Sequence, residues 1–522
     1  MSGFIRLCLC AFLGLGLAAA QERPPEEELF GKPAEPEQPE QQPKPQKPEQ
    51  QRPEQAAPPA APAERPAGPE RAEPTEPEPG AERRLREVLT RTRDTLDLGG
   101  QLYLRSFIFS QKGTPPSAWE FTAPSLLDLY VDARPSDRVR AFVLARTQYD
   151  PTAAEPTTVT ALPAVPGVVV DPNAIPGARA REVYQVALDQ LWISFDVERR
   201  VFITAGKQHV KWGVGHFWNP TDYLHATPRD PLAPFDARTG TSMLRVQVPW
   251  EARGWNFMAA VITEPLVPPP DASTPRAGQL GALGGALRGQ LVLGAAELGV
   301  GGVVQKGRPS RFGLDLSGPI GEVDAYGELA LRSDPELPLW QEVPGVDPSQ
   351  PITARFARRG GTPANPAATL GGSWTHKYGE RDKDTFTVGV EAFWNKNGYD
   401  SPRIYPWLLL QDDFVPFYVG RWYAGAYILL PQPGGWNRTT FTTSVLANLS
   451  DGSLLARLDV SQIVLTYLRL EAFIAGHFGT EGGEFRLGLD IPPQNLGGGV
   501  TSPQIHVGAP LVDVGVALRV AL

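Results

Sequence analysis

From Thr95 onward, apolar and polar positions alternate with a period of two in run after run. Leu96, Leu98, Leu102 and Leu104 alternate with Asp97, Gln101, Tyr103 and Arg105. Leu127, Leu129, Val131 and Ala133 alternate with Asp128, Tyr130, Asp132 and Arg134. After Pro135-Ser136-Asp137, the apolar series Val139, Ala141, Val143 and Ala145 runs against Arg138, Arg140 and Arg146. The pattern returns in Val323, Ala325, Leu329 and Leu331 against Asp324, Tyr326, Glu328 and Arg332, in Phe386–Asn395 around Glu391, and in Trp422–Leu430 next to Arg421. Successive strand residues point to opposite faces, so the pattern predicts strands with one apolar and one polar face. Each run has the length of a tilted membrane strand, roughly 9–11 residues.

A soluble sandwich alternates in the same way. Two features point instead to a membrane barrel. The polar face carries charged and aromatic residues in strand after strand, as a water-filled lumen requires. Short turns, at Pro135–Asp137, Val197–Arg200, Pro249–Ala252, Gly294-Ala295, Ser317-Gly318-Pro319, Tyr378–Lys383 and Pro431–Trp436, also alternate with long connections near 150–181, 206–240, 264–279, 333–366, 397–416 and 477–510. That asymmetry is expected of an outer-membrane barrel with short periplasmic turns and long external loops. The expected fold is all-β, a transmembrane antiparallel β-barrel of 18 strands, or 16 if the Gly-rich pair at 281–305 or the join near Ser461 is not counted. Val512, Val514, Val516, Leu518, Val520 and Leu522 form the outward face of the last strand, which closes the barrel and removes its free edge.

The residues before the barrel have a different composition. Arg6, the apolar run Leu7–Leu17 and Ala18-Ala19-Ala20 predict a signal peptide over 1–20, too short to span a membrane as a helix. Both cysteines, Cys8 and Cys10, fall inside it, so the rest of the chain has no disulfide framework. Residues 21–80 are almost wholly Pro, Glu, Gln, Ala, Lys and Arg. They predict a disordered periplasmic linker, extended by proline at about 3.1 Å per residue, whose functional reading is a spacer that reaches towards the cell wall or a partner. Residues 81–94 predict a short helix with Leu85, Val88, Leu89 and Thr92 on one face, and 95–522 the barrel. The formal net charge of −9 gives no basic excess for nucleic acid.

The candidate chemistry lies on the polar faces and in one unusual stretch. Arg105, Asp128, Asp132, Arg134, Arg138, Arg140, Arg146, Arg245, Glu328, Glu391 and Arg421 are the pore-lining candidates, with Asp324, Arg332, Arg469 and Glu471 on the same parity. Rings of fixed charge set pore selectivity, and Arg134, Arg138, Arg140 and Arg146 predict a basic wall with mild anion preference, unless they pair across strands. The stretch Gly206–Asp222 holds Trp212, Trp218, His209 and His216, with His225 just beyond. Strand parity makes it the start of the third external loop. Lys207, Lys211, Trp212, His216, Trp218 and Asp222 are the candidates for a constriction: Trp212, Trp218 and Asn219-Pro220 would shape the loop, Lys207, Lys211, His216 and Asp222 would meet solute, and Gly213 and Gly215 would permit its inward turns. The histidine spacings match no tight metal motif, so no metal and no cofactor is expected. Ser373 with His376, and Asp222 with His225, are the pairs an enzyme would need, and neither has a nucleophile elbow or a third member.

On these residues the chain resembles Gram-negative outer-membrane porin-like β-barrels. The resemblance rests on Gly206-Lys207-Gln208, Trp212-Gly213 and Asn219-Pro220-Thr221-Asp222, on Asp451-Gly452-Ser453 followed by Glu484-Phe485, and on the carboxyl-terminal strand, which ends in Leu522 where such barrels usually end in an aromatic residue. It implies a non-enzymatic, porin-type passive channel for small hydrophilic solutes in the outer membrane, with membrane lipid and the barrel assembly machinery as partners. Analogy also implies a homotrimer, which no residue demonstrates. The rival readings are an outer-membrane anchor that tethers cell wall or a periplasmic partner through the Pro-rich tail, and a barrel hydrolase.

Overall fold

A computed structural model describes residues 95–153, 183–264, 279–347, 352–381, 383–491, 495–497, 500–501 and 505–522. The expected signal peptide, linker and short helix lie outside the described residues, as does most of the connections expected at 150–181 and 264–279.

The alternating runs form β1 (Leu96–Gln111), β2 (Ser125–Ser136), β3 (Val139–Tyr149), β4 (Tyr184–Val197), β5 (Val201–Gln208), β6 (Thr241–Trp250), β7 (Trp255–Ile262), β8 (Gly284–Leu293) and β9 (Ala296–Gln305). They continue as β10 (Arg311–Ile320), β11 (Val323–Arg332), β12 (Asn365–Lys377), β13 (Thr385–Asn395), β14 (Trp422–Pro431), β15 (Thr439–Asn448), β16 (Ser453–Leu465), β17 (Leu468–Gly479) and β18 (Pro510–Ala521). Each pairs antiparallel with the next, and β18 pairs back onto β1 from Gln101↔Ala521 to Gln111↔Pro510, which closes an 18-stranded barrel. Leu522 N–H donates to the Gly100 carbonyl at 2.9 Å, so the ladder runs to the final residue. A three-residue strand, Glu120–Thr122, pairs only with β1 at one rim.

Two expected joins lie elsewhere. The turn placed at Ser317-Gly318-Pro319 is at Gly321-Glu322, because β10 runs on through Pro319 to Ile320. Gly321 supplies the left-handed conformation (φ 66°) that a two-residue hairpin needs, and proline is tolerated near a strand end, where little of the ladder depends on its missing N–H. Near Ser461 there is no join: β16 is continuous to Leu465 and turns at Thr466-Tyr467. The Gly-rich pair is a regular hairpin, β8 to β9 around Gly294, so the strand number is 18 rather than 16.

The apolar face points outward. Leu129, Leu287, Leu314, Leu370, Val390 and Val516 are exposed, whereas Gln101, Asp128, Thr204, Asp315, Glu328, Glu391 and Asn448, of opposite parity, are buried inside. A continuous exposed apolar belt with a polar interior is the arrangement lipid requires. Exposed aromatic residues flank the belt, with Tyr149, Tyr184, Trp422 and Phe478 toward the long-loop end and Trp250, Trp436 and Tyr467 toward the short-turn end. Among the described residues no helix is long and apolar enough to cross a membrane.

The hairpin β8–β9 gives the sharpest test of this strand number. A fluorophore attached through Leu291→Cys or Val300→Cys is expected to be quenched by spin-labelled acyl chains, and one through Gln290→Cys by aqueous iodide. Iodide quenching at all three positions would remove this hairpin from the barrel.

Candidate functional site: a loop docked across the lumen

The third long connection, L3, comprises residues 209–240 between β5 and β6. It turns in rather than continuing the ladder. Gly213 adopts φ 87°, and a Cβ there would lie 2.5 Å from Glu328 Oε1. The ring-bearing residues Trp212, Phe217, Trp218 and Tyr223 are all buried against the inner wall. Trp218 stacks on Phe393 of β13 (5.7 Å, 9°) and meets Tyr423 of β14 at 5.5 Å. Glycines in the same wall make room for the loop. A Cβ on Gly425 would stand 2.5 Å from the Phe217 ring, and one on Gly313 2.9 Å from Thr221.

A chain segment inside a barrel brings backbone N–H groups that have no ladder to join. Two wall carboxylates accept them. Glu328 of β11 accepts from the N–H of Val214 (2.6 Å), Gly215 (2.6 Å) and Thr221 (3.1 Å) and from the Thr221 hydroxyl (2.7 Å). Glu391 of β13 accepts from the N–H of His216 (2.7 Å), Phe217 (3.1 Å) and Trp218 (2.7 Å) and from Tyr326 Oη (2.8 Å). The Thr369 hydroxyl of β12 donates to the Trp218 carbonyl at 3.1 Å, and Trp218 Nε1 to the Phe417 carbonyl at 2.9 Å.

Further along, L3 reaches the opposite wall. Phe235 packs edge-on against Tyr103 of β1 (5.7 Å), with Arg146 of β3 and Arg519 of β18 over its ring at 5.8 and 5.5 Å. L3 therefore touches the wall on both sides of the lumen. The base of the loop is held by a hydrogen-bonded chain. His209 Nε2 lies 2.8 Å from Asp189 Oδ1, His225 Nε2 lies 3.3 Å from His209 Nδ1, and His225 Nδ1 lies 3.0 Å from Asp222 Oδ2. A β-bulge in β4, between the pairs Leu144↔Gln190 and Ala145↔Leu188, leaves Asp189 free to join this chain. Arg238 bridges Asp222 (2.9 Å) and Asp236 (2.5 Å). The Asp222 carboxyl is desolvated by burial, but His225 and Arg238 outweigh that and hold its pKa below the usual carboxylate value. These groups form a line rather than a convergent shell, and no set of three or more metal-type ligands occurs among the described residues.

The remaining predicted residues sort by partner. Asp132 takes both Arg134 (2.7 Å) and Arg140 (2.8 Å), while Arg146 lies between Asp128 (2.8 Å) and Asp189 (3.3 Å). Of the expected basic wall, Arg140 and Arg146 are thus paired across strands and Arg134 with an acid of its own strand. Arg138 is not on a strand; it is exposed in the turn between β2 and β3. Arg421 lies just before β14 and pairs with Asp400 at 2.7 Å. Lys207 belongs to β5 rather than to the loop, on the outward parity beside Ser242, and lies 3.8 Å from Glu264. Arg105 donates to the Pro124 carbonyl at 3.1 Å and lies over Tyr103 (5.3 Å). Arg245 has Thr204 Oγ1 at 3.5 Å. His216 stacks on Tyr427 at 4.0 Å. Lys211 is reached by solvent although protein surrounds it; desolvation, then Arg229, lowers its pKa. Ser373 is on the lumen parity of β12, and His376, on the outward parity, stacks on Trp374, so the two do not form a pair.

Asp451-Gly452-Ser453 and Glu484-Phe485 meet as a second dock. Asp451 accepts from Ser453 N–H (2.8 Å), Glu484 N–H (2.9 Å) and Tyr405 Oη (3.0 Å). Glu484 accepts from Phe417 N–H, Tyr423 Oη (2.6 Å) and Asn448 Nδ2 (2.9 Å). Asp189, Phe235 and Arg238 escaped the sequence reading. Asp189 falls at a bulge, where alternation gives no parity, and Phe235 and Arg238 lie in a stretch without periodicity.

No protein-family model and no curated protein matches the chain. Solved structures similar to it include a BenF-like porin from Pseudomonas fluorescens (13% identity, TM-score 0.43, covering 82% of this chain and 98% of that one). The outer membrane protein opdK from Pseudomonas aeruginosa is 9% identical, with a TM-score of 0.41 over 82% of this chain and 98% of its own. A triple mutant of Rhodopseudomonas blastica porin is 11% identical, with a TM-score of 0.36 over 82% of this chain and 100% of its own.

Two predictions follow from the docks. Glu391→Gln leaves one acceptor oxygen for three N–H groups and should cost L3 about 2–3 kcal/mol of docking. Amide exchange at Phe217 and Trp218 is expected to quicken at least about 30-fold while strand amides keep their protection; unchanged exchange would show that Glu391 does not hold the loop. In the second dock, burial raises the Glu484 carboxyl to about 7 against the hydrogen bonds that favour its ionised form. A raised carboxyl favours the folded dock when protonated, so this contribution is complete below about pH 4.5 and is lost as pH rises through about 7. Exchange at the Phe417 amide, corrected for intrinsic rates, should accelerate across that window in the native chain and not in Glu484→Gln.

Proposed function

We propose that this chain is a passive channel for small hydrophilic solutes in the outer membrane of a Gram-negative bacterium, with L3 as its constriction. The observation that carries the reading is the course of L3, fastened to Glu328 and Glu391 on one side and to the Tyr103–Arg519 wall on the other, with Lys211 still reached by solvent. A closed barrel of 18 strands is of the size class that leaves an aqueous interior. The loop is shaped by Trp212, Phe217 and Trp218, and solute passing it would meet Lys211 and His216 rather than Lys207. The wall presents guanidiniums and carboxylates largely in pairs, which suits polar solutes of either sign more than a strong anion preference. The hydrolase reading lacks its Ser–His pair, since Ser373 and His376 occupy opposite faces. Residues 21–80 are proposed as a periplasmic spacer serving the same protein.

Purified, refolded full-length chain in a planar bilayer is expected to give discrete conductance steps that persist after deletion of residues 22–80. Deleting Lys211–Asp222 should enlarge the step. A folded barrel without steps would end the channel reading and leave the tether reading in front; an unchanged step in the loop deletion would end the constriction alone.

A further inference from the structure

Both feet of L3 stand on one residue, Asp189. Its carboxylate receives His209, the first residue of the loop, and the Gly240 N–H at the loop's end is shared between that carboxylate (3.2 Å to Oδ1) and the Asp189 main-chain carbonyl (3.1 Å). His209 is joined through His225 to Asp222, which lies near the middle of the loop, and Arg146 Nη1 donates to the Ala237 carbonyl at 2.9 Å. This chain is a fixed geometry whose protons can be counted.

A carboxylate can only accept. Asp222 is ion-paired with Arg238, so the nitrogen facing it, His225 Nδ1, must carry hydrogen. Asp189 is in contact with Arg146 and accepts from Gly240, so His209 Nε2 must carry hydrogen as well. The central contact, His225 Nε2 to His209 Nδ1, needs one hydrogen between its two nitrogens. Three contacts therefore require three protons on four ring nitrogens, which is one positive charge shared by the pair. Two neutral rings would carry one proton too few and lose a contact. Two imidazolium rings would turn the central contact into a clash of two N–H groups.

Asp189 from β4, Asp128 behind Arg146, and Asp222 and Asp236 within L3 are four carboxylates. Facing them are Arg146 from β3, Arg238 in L3, and Lys211 and Arg229 of the same loop, Lys211 being close enough to Arg229, Asp222 and Asp236 to feel their charge; Tyr418 of the connection before β14 adds a neutral hydroxyl.

We infer that the His209–His225 pair is a one-proton latch that clasps the base of L3 to the barrel wall. L3 is held best at intermediate pH. It is released on the alkaline side by loss of the shared proton and on the acid side by gain of a second. The inference concerns how the loop is held and does not require the channel reading.

The direct test is ¹⁵N NMR of histidine-labelled full-length protein in detergent or lipid, from about pH 5 to about pH 8, the range in which histidines change charge. His209→Gln and His225→Gln assign the signals. Three protonated ring nitrogens in the pair are expected on an intermediate plateau, falling to two as pH rises and rising to four as it falls. The solvent exchange of the Gly240 amide, corrected for intrinsic rates, should be slowest on that plateau. His225→Gln should flatten the profile, and His376→Gln, on the outer face, should leave it unchanged. Two or four protonated nitrogens throughout, or a Gly240 profile that His225→Gln does not alter, would overturn the latch.

Discussion

The structure turns on the need to satisfy backbone N–H groups where no ladder is available. A strand in the wall bonds to its neighbours, but a loop that enters the lumen brings donors that neither strand nor lipid can meet. L3 brings a run of them between Val214 and Thr221, and the wall answers with Glu328 and Glu391, two strands apart and one inward position apart in height. Each carboxylate collects several donors that converge on a turn. That geometry fixes the path of the loop more tightly than apolar packing could, because a ring can slide in its pocket and a converged set of directional hydrogen bonds cannot.

Packing then follows the anchor. Once Glu391 holds Phe217 and Trp218, their rings need space that the wall provides by omission. Gly425 admits Phe217, Gly301 lies against Trp212, and Gly313 admits Thr221. Elsewhere the wall is paired charge: Arg140 and Arg134 on Asp132, Arg146 on Asp128 and Asp189, Arg288 on Asp315. Such pairs hydrate and stiffen the interior while leaving little local excess of either sign.

The period-two pattern made the barrel legible, including its outward face, the closing strand and the position of the third long connection. A strand's parity is a local property, and so it survives reading without coordinates. What the pattern could not carry was partnership. Glu328 and Glu391 look like pore charges by parity, yet their oxygens are taken by backbone groups more than a hundred residues away in sequence. Arg138 and Arg421 fell just beyond strand ends, and Lys207 inside one, because element boundaries shift by a residue or two without disturbing the periodicity. The Ser317–Pro319 turn failed for a related reason: Gly318 and Pro319 are turn residues in composition, but the left-handed position that the hairpin needs is at Gly321.

The second dock makes the principle general for this chain. Asp451 and Glu484 do for the connections around Tyr405, Phe417 and Phe485 what Glu328 and Glu391 do for L3: a buried carboxylate accepts N–H groups of a segment leaving the ladder, and an aromatic residue closes over it. The difference is where the acid resides. In the L3 dock it belongs to the rigid wall and the loop supplies only donors, whereas Asp451 and Glu484 lie on loops themselves and brace one another, with Glu484 N–H donating to Asp451. A dock whose acceptor is part of the wall holds its loop in one place. A dock assembled from two loops holds only while both are folded, so the rim around Glu484 should open more readily than the L3 dock.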